Sequence, residues 1–135
     1  MPPGIHWATW AEVTERFGTN DHRKQLLNGL EKAMKLLRMA GCKAVFLDGS
    51  FVTTKEWPND YDCCWDSSGV NTKVIDRSFF DFEAGRLKQR IKFGGDFFPS
   101  GFKDENGRTF VELFQVDKET GGAKGIVGIR LEESA

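Results

Sequence analysis

The sequence predicts an α+β fold (α/β-like) in which a small mixed β-sheet is flanked by helices. Two observations carry this prediction. Two helical segments open the chain, and short apolar segments that indicate strands then occur on both sides of a further helix. The chain has 135 residues, which suits a single domain over 1–135 with a core of its own.

Both N-terminal helices carry start and stop signals. Thr9 to Glu12 has capping-box spacing, and the short helix that follows is expected to end at Gly18. A longer helix is expected to begin after 19–21, TND, which offers an N-cap, and to end at Gly41. Its apolar residues recur at helical spacing: Leu26, Leu27, Leu30, Ala33, Met34 and Leu37.

Two strands are predicted in the middle of the chain. Residues 43–47, KAVFL, form a short apolar run after the long helix, and 61–66, YDCCWD, form the next extended segment. Cys63 and Cys64 are adjacent, so their side chains are expected to point to opposite faces of the second strand.

A third helical region is predicted over 77–92, with Asp76 as its cap and a bend near Gly85. Leu87 and Ile91 are expected to face the core from this helix. Its basic side chains are expected to be mainly solvated, although one of them could steer a phosphate. The pair at 94–95, GG, is expected to end it.

Three extended segments are predicted near the C-terminal end. Residues 96–102, DFFPSGF, form a short one, and 94–96, GGD, is a candidate to line a cleft. Residues 108–116, RTFVELFQV, are rich in β-branched and aromatic side chains and favour a strand. The last segment, 126–131, is predicted to be a strand that could pair with 108–116.

Composition excludes several classes of protein. The formal net charge of −1 argues against generic DNA binding, which is typical of a basic domain. No stretch approaches the roughly 20 apolar residues that a membrane span needs. The three cysteines lack zinc-site spacing, which favours reduced thiols and a cytoplasmic location.

Acidic side chains suggest a metal site beside the 61–66 strand. Asp60 and Asp62 stand at i and i+2, so both point to one face of that strand. Like charges at this distance repel unless a cation lies between them. Carboxylates of this kind suit Mg²⁺ or Mn²⁺ held together with substrate phosphates. The structural alternative is a solvent-facing Asp-x-Asp at a strand start.

Three further features accompany the acids. Gly49 and Ser50 form a turn whose backbone amides and hydroxyl can approach an anion, and Lys55 could meet a phosphate. Glu112 lies between apolar neighbours, where a carboxylate is costly unless paired, hydrated or bound to metal. Each also has a plain structural interpretation: a tight turn, a solvated lysine, and a glutamate on an exposed sheet face.

As a set, these residues resemble the DNA polymerase beta-like nucleotidyltransferase superfamily. Its signature is a Gly-Ser turn, a spacer, an Asp-x-Asp pair, and a later acid between apolar residues, and the match covers about 43–115. The resemblance implies that Gly49 and Ser50 bind the nucleotide triphosphate. It also implies that Asp60 and Asp62 hold metal and that Glu112 is the third acid.

The resemblance implies a magnesium-dependent nucleotidyltransferase, which moves a nucleoside monophosphate from an NTP such as ATP to a protein, RNA or small molecule. A toxin–antitoxin or defence context and a partner protein are further expectations. The chain departs from minimal members of the superfamily: Asp48 precedes the turn, and Lys55 stands in for an expected arginine. An acid at 48 is unfavourable beside phosphates unless it points away or joins the metal shell. The alternative is therefore a catalytically silent binding or regulatory module.

The whole chain also resembles a family of small uncharacterised bacterial proteins with such a core. The shared segments include PPGIH, LDGSFVT, CWD and a late KGIV. This second resemblance suggests a bacterial or phage origin and brings no activity with it.

Overall fold

A computed structural model describes residues 4–48, 61–81, 83–101, 107, 109, 115 and 125–131. The strands in these ranges are β1 (Gly4–Ala8), β2 (Ala44–Asp48), β3 (Tyr61–Trp65), β4 (Gly95–Pro99) and β5 (Gly125–Arg130). The α-helices in the same ranges are α1 (Trp10–Phe17), α2 (Asp21–Met39) and α3 (Glu83–Phe93), and a 3₁₀ helix spans Arg77–Phe80.

The strands form one mixed sheet in the order β1-β5-β2-β3-β4. β1 with β5 and β3 with β4 are parallel pairs, whereas β2 is antiparallel to both of its neighbours. The predicted α+β architecture, a small mixed sheet beside helices, is therefore confirmed.

The two N-terminal helices begin where the capping signals place them. The Thr9 hydroxyl accepts a hydrogen bond from the Glu12 amide at 3.1 Å, and the Glu12 carboxylate accepts one from the Thr9 amide at 3.0 Å. Asn20 caps α2 by accepting from the Arg23 amide at 2.8 Å. Gly18 is the C-cap of α1, so this predicted end is confirmed as well.

The main core lies on one face of the sheet, which we call the helix face. Val45, Leu47, Cys63 and Phe97 point to this face and pack in one buried cluster with the apolar sides of α1 and α2. The opposite face, which we call the back face, carries a second buried cluster: Ala44, Phe46, Cys64 and Ile126. Cys63 and Cys64 thus lie on opposite faces, as predicted.

β1 was not predicted from the sequence. Its five residues show only a brief alternation, in which Ile5 and Trp7 point to the back face. The strand is stabilised by parallel pairing with β5, more than a hundred residues later in the chain. No local pattern reveals a partner that distant.

The predicted pairing of 126–131 with 108–116 is wrong for β5. Both edges of β5 are used, one by β1 and the other by β2. Of the segment 108–116, the structure describes only Thr109, in an isolated bridge, and Gln115, in a turn. The other residues of that segment lie outside the described part of the chain.

The predicted third helix is divided in two. Asp76 caps only the 3₁₀ helix, by accepting from the Ser78 amide at 2.9 Å, and α3 begins later. The prediction that Leu87 and Ile91 face the core is also wrong, because their exposed fractions are 50% and 77%. Because α3 begins after a break in the predicted helix, a different side of it packs against the sheet.

The buried side of α3 is set by Gln89 and Phe93, one turn apart. The Gln89 side chain accepts from the Phe97 amide of β4 at 2.8 Å and donates to the Ser78 carbonyl at 2.9 Å. The Phe79 and Phe93 rings stack with centroids 5.0 Å apart. These contacts hold α3 along β4, the last strand in the order of the described sheet.

Candidate functional site

Of the residues predicted for the site, the structure describes Asp62. The others, Gly49, Ser50, Lys55, Asp60 and Glu112, lie outside the described residues. Their predicted roles therefore stay predictions, and the site is built here from Asp62 and its neighbours.

Asp62 lies in register with an aspartate on each neighbouring strand. Its partner across the antiparallel pair is Asp48 of β2, and its partner across the parallel pair is Asp96 of β4. The Cα atoms of register partners on adjacent strands lie about 4.5–5.5 Å apart, and their side chains point to the same face. The three side chains, which we call the acid row, thus run across three strands at one end of the sheet.

The acid row lies on the back face. The next register row on that face is apolar and consists of Phe46, Cys64 and Phe98, each two residues from an acid. Asp48 and Asp96 are each only 8% exposed. Carboxylates buried to this degree need a compensating positive charge, a metal or hydrogen bonds.

Arg90 of α3 supplies part of this compensation. Its Nε and Nη2 atoms donate to the two carboxylate oxygens of Asp96 at 2.8 and 2.9 Å. This is the bidentate geometry that a planar guanidinium forms with a carboxylate. The Asp96 side chain is 11% exposed, whereas that of Arg90 is 50% exposed, so the arginine reaches in from the protein surface.

A second guanidinium lies at the same face. Cζ of Arg86 is 4.1 Å from the ring centroid of Phe98, which is cation–π geometry. Burial is the largest influence on the Arg86 pKa and lowers it, while the charges of Asp96 and Asp62 oppose that shift. The acid row is therefore flanked by two arginines from one helix.

The turn between α3 and β4 sets the position of both arginines. Gly94 takes the left-handed backbone, φ 85°, that this sharp reversal requires. The Tyr61 hydroxyl donates to the Phe93 carbonyl at 2.8 Å, which ties the end of α3 to the first residue of β3. The Tyr61 ring lies directly against Gly95, where a side chain would collide with it.

Sequence reasoning did not bring Asp48, Arg86 and Arg90 together with Asp62. Asp48 was a departure from the superfamily pattern that could point away or join the metal shell. The arginines were part of a mainly solvated helix face from which one side chain could steer a phosphate. Asp96 was noted as a cleft candidate without a partner. The strand order is what brings these residues together. Because β4 lies beside β3, Asp96, which is distant in sequence, comes into register with Asp62.

The thiols do not provide a nucleophile. Burial raises the pKa of Cys42 and of Cys64 to about 12, and that of Cys63 well above its ordinary value. Thiols in this state are neutral at ordinary pH and chemically inert. Chemistry at this end of the sheet would therefore use carboxylates and guanidiniums.

Two carboxylates of the acid row are of the ligand type that a hard divalent cation takes. Mg²⁺ prefers carboxylate oxygens and commonly takes one or two of them together with substrate phosphates. Asp48 and Asp62 can supply these two. Over the ranges that the structure describes, no group of three or more His, Cys, Asp or Glu side chains is arranged to hold a metal ion.

The fold and site define a small α+β protein with an acid row at one end of a mixed sheet. Residues 1–130 match a family of unknown function, DUF6932, and the chain belongs to that family. Neither the curated proteins nor the solved structures gave a match to the chain. Among the described residues, no helix combines the length and apolar character needed to cross a membrane.

Proposed function

We propose that this protein is a magnesium-dependent nucleotidyltransferase, which moves a nucleoside monophosphate from an NTP to a protein, RNA or small-molecule acceptor. The observation that supports the proposal is the acid row, in which Asp62 has an aspartate in register on each side. The sequence alone predicted Asp62 as a metal ligand, and its register partners on both neighbouring strands are also carboxylates.

In this proposal the acids hold the substrate complex and accept a proton. The acceptor oxygen forms a bond to the α-phosphorus, the bond from that phosphorus to the bridging oxygen breaks, and pyrophosphate leaves. Mg²⁺ would neutralise the charge that develops on the phosphates. Asp62 and Asp48 would orient the metal–nucleotide complex, and a carboxylate of the site would take the hydroxyl proton.

The third carboxylate has two candidates. Glu112 comes from the resemblance to the nucleotidyltransferase superfamily. Asp96 comes from its register with Asp62 and its burial on the back face. Loss of transfer in Asp96→Asn but not in Glu112→Gln would assign the role to Asp96.

The proposal also covers the acceptor and the biological context of the transfer. The proposed acceptor is a partner protein, an RNA or a small molecule. We propose a cytoplasmic location and a toxin–antitoxin or defence context, with ATP as the first nucleotide to test.

A catalytically silent binding or regulatory module is the second candidate. The ion pair of Arg90 with both oxygens of Asp96 favours it, because a carboxylate so paired is a poorer metal ligand. Binding of NTP and Mg²⁺ in calorimetry, without transfer of label from radiolabelled NTP, would identify the module.

The decisive variant for transfer is Asp62→Ala. We expect it to lose transfer from radiolabelled NTP by at least about a hundredfold, because it removes a metal ligand and the charge that orients the phosphates. Circular dichroism should show an unchanged fold, since the side chain is only half-buried.

Glu15→Ala is the matched control, because it removes an exposed carboxylate from α1 on the other side of the sheet. It should retain wild-type transfer. Equal activity in Asp62→Ala and the wild type would remove the acid row from the mechanism.

A further inference from the structure

We propose that the cleft between the 3₁₀ helix and α3 binds a free aromatic α-amino acid through both of its charges. The cleft has a volume of about 420 Å³, which is within the range of small-molecule sites. Its described lining includes two apolar and four charged side chains: Ile75, Phe80, Arg77, Asp81, Glu83 and Lys88.

The cleft is separate from the acid row. Lys88, which lines the cleft, and Arg90, which holds Asp96, are two residues apart on α3 and therefore project about 200° apart around the helix. The two places thus lie on opposite flanks of α3. The inference does not rest on the proposed function, and its failure would leave that proposal as it stands.

Phe80 gives the cleft an aromatic wall. Part of its ring meets the buried Trp65 edge to face, with centroids 5.6 Å apart, yet 38% of Phe80 is exposed. Ile75, which belongs to the main core, lines the same cleft. An exposed ring beside an apolar residue suits an aromatic ligand, because ring pairs add attraction beyond the burial of apolar surface.

Two of the four charges in the cleft pair with each other. Lys88 Nζ lies 3.2 Å from one carboxylate oxygen of Asp81. The other oxygen of Asp81 accepts a hydrogen bond from the Glu83 amide at 3.2 Å, which fixes the start of α3. This pair therefore shapes the wall of the cleft and adds no net charge to it.

Arg77 and Glu83 leave one charge of each sign in the cleft. Within the part of the chain that the structure describes, neither side chain has an ion-pair partner. A ligand that carries both signs pairs with the two of them at once. An α-amino acid does so, because its carboxylate suits the guanidinium of Arg77 and its ammonium group suits the carboxylate of Glu83.

The same charges argue against a nucleotide or any other purely anionic ligand. Asp81 and Glu83 place two carboxylates in the lining, and carboxylates repel phosphate. A purely cationic ligand meets the equivalent repulsion from Arg77 and Lys88. A zwitterion with an aromatic side chain finds an opposite charge for each of its own and a ring for its apolar part.

The test compares three ligands that differ by one charge. They are L-phenylalanine, phenylpropionate, which lacks the ammonium group, and phenethylamine, which lacks the carboxylate. NMR titration of the isotope-labelled protein measures each affinity, and the shifts should be confined to residues around 72–88. L-phenylalanine should bind about fivefold more tightly than either analogue, because each extra contact is made at an exposed charge.

Each charge of the protein is then removed in turn. In Arg77→Gln the affinity for L-phenylalanine should fall about fivefold, to that of phenethylamine, whose own affinity should not change. In Glu83→Gln it should fall by the same factor, to that of phenylpropionate. Lys73→Gln is the matched control, because Lys73 is exposed just before the 3₁₀ helix and does not line the cleft. It should keep all three wild-type affinities.

Two results would overturn the inference at the level of the wild type: equal binding of the three ligands, or binding of none of them. Arg77→Gln would also overturn it by weakening phenethylamine as much as L-phenylalanine, because the variant would then have altered the whole cleft and not one contact. Thermal unfolding checks that each variant is folded, which we expect because both side chains are exposed.

Discussion

Arg86 has an unusual backbone for its residue type. Its φ of 63° lies in the left-handed region, where an L side chain is strained by about 1–2 kcal/mol. The strain is offset by contacts of the side chain, which lies over Phe98 and beside the acid row. A strained residue next to a charged cluster is typical of a functional site.

Arg86→Gly should be more stable than Arg86→Ala, although alanine is normally the more stabilising residue inside a helix. Both remove the side-chain contacts, but glycine accepts a positive φ, so the glycine variant should be more stable by about 1 kcal/mol in urea unfolding. Lys88→Gly and Lys88→Ala are the matched pair, and there alanine should be more stable by about 1 kcal/mol. An Arg86→Ala variant more stable than Arg86→Gly would contradict the strain.

At the scale of elements, α2 packs closely against the end of α3 at Gly29. A Cβ atom there would overlap the carbonyl oxygen of Phe93, the last residue of α3. The end of α3 is also held by the hydrogen bond from Tyr61 to the same carbonyl. This contact fixes where α3 turns into β4, and so where Asp96 enters the acid row.

Gly29→Ala should destabilise the protein by about 1–3 kcal/mol in urea unfolding, because the backbone of α3 has to move away. The usual helix preference for alanine acts in the opposite direction and is smaller. Asn28→Ala, at the exposed neighbouring position, should change stability by no more than about 0.5 kcal/mol. Equal stability of the two variants would show that α3 packs more loosely than described.

At the scale of the whole molecule, the three thiols are buried on both faces of the sheet. Cys42 and Cys63 are buried in the core on the helix face and Cys64 in the cluster on the back face. Burial raises all three pKa values, to about 12 for Cys42 and Cys64. Ionisation of these groups at moderately alkaline pH is therefore coupled to unfolding.

Stability should be constant with respect to these thiols below their unfolded pKa, near 8.5, and should fall as pH rises from there towards 12. The sign follows because the unfolded chain loses the thiol protons first. Each buried thiol removes up to about 1.4 kcal/mol per pH unit in that window.

Urea unfolding at pH 8 and pH 10 measures this loss. Cys64→Ala should lose less stability between the two values than the wild type, whereas Asn28→Ala should lose as much as the wild type. Equal losses in all three proteins would mean that Cys64 is ionisable in the folded state.

The local elements could be predicted because their causes are local. The capping box at Thr9 and Glu12 and the Asn20 cap depend on residues three apart. The α+β class followed from the succession of these segments. The exposure of Leu87 and Ile91 could not be predicted from the sequence. The break before α3 changed which side of this helix packs against the sheet.

The sequence by itself determined the starts of α1 and α2, most of the strands, the opposite facing of Cys63 and Cys64, and Asp62 as a candidate acid. Only the tertiary structure decided that Asp48 and Asp96 are its neighbours and that Arg90 holds one of them. The physical reason is that hydrogen bonding between strands sets which residues share a row. That pairing joins segments far apart in the chain, so no short window of sequence contains it.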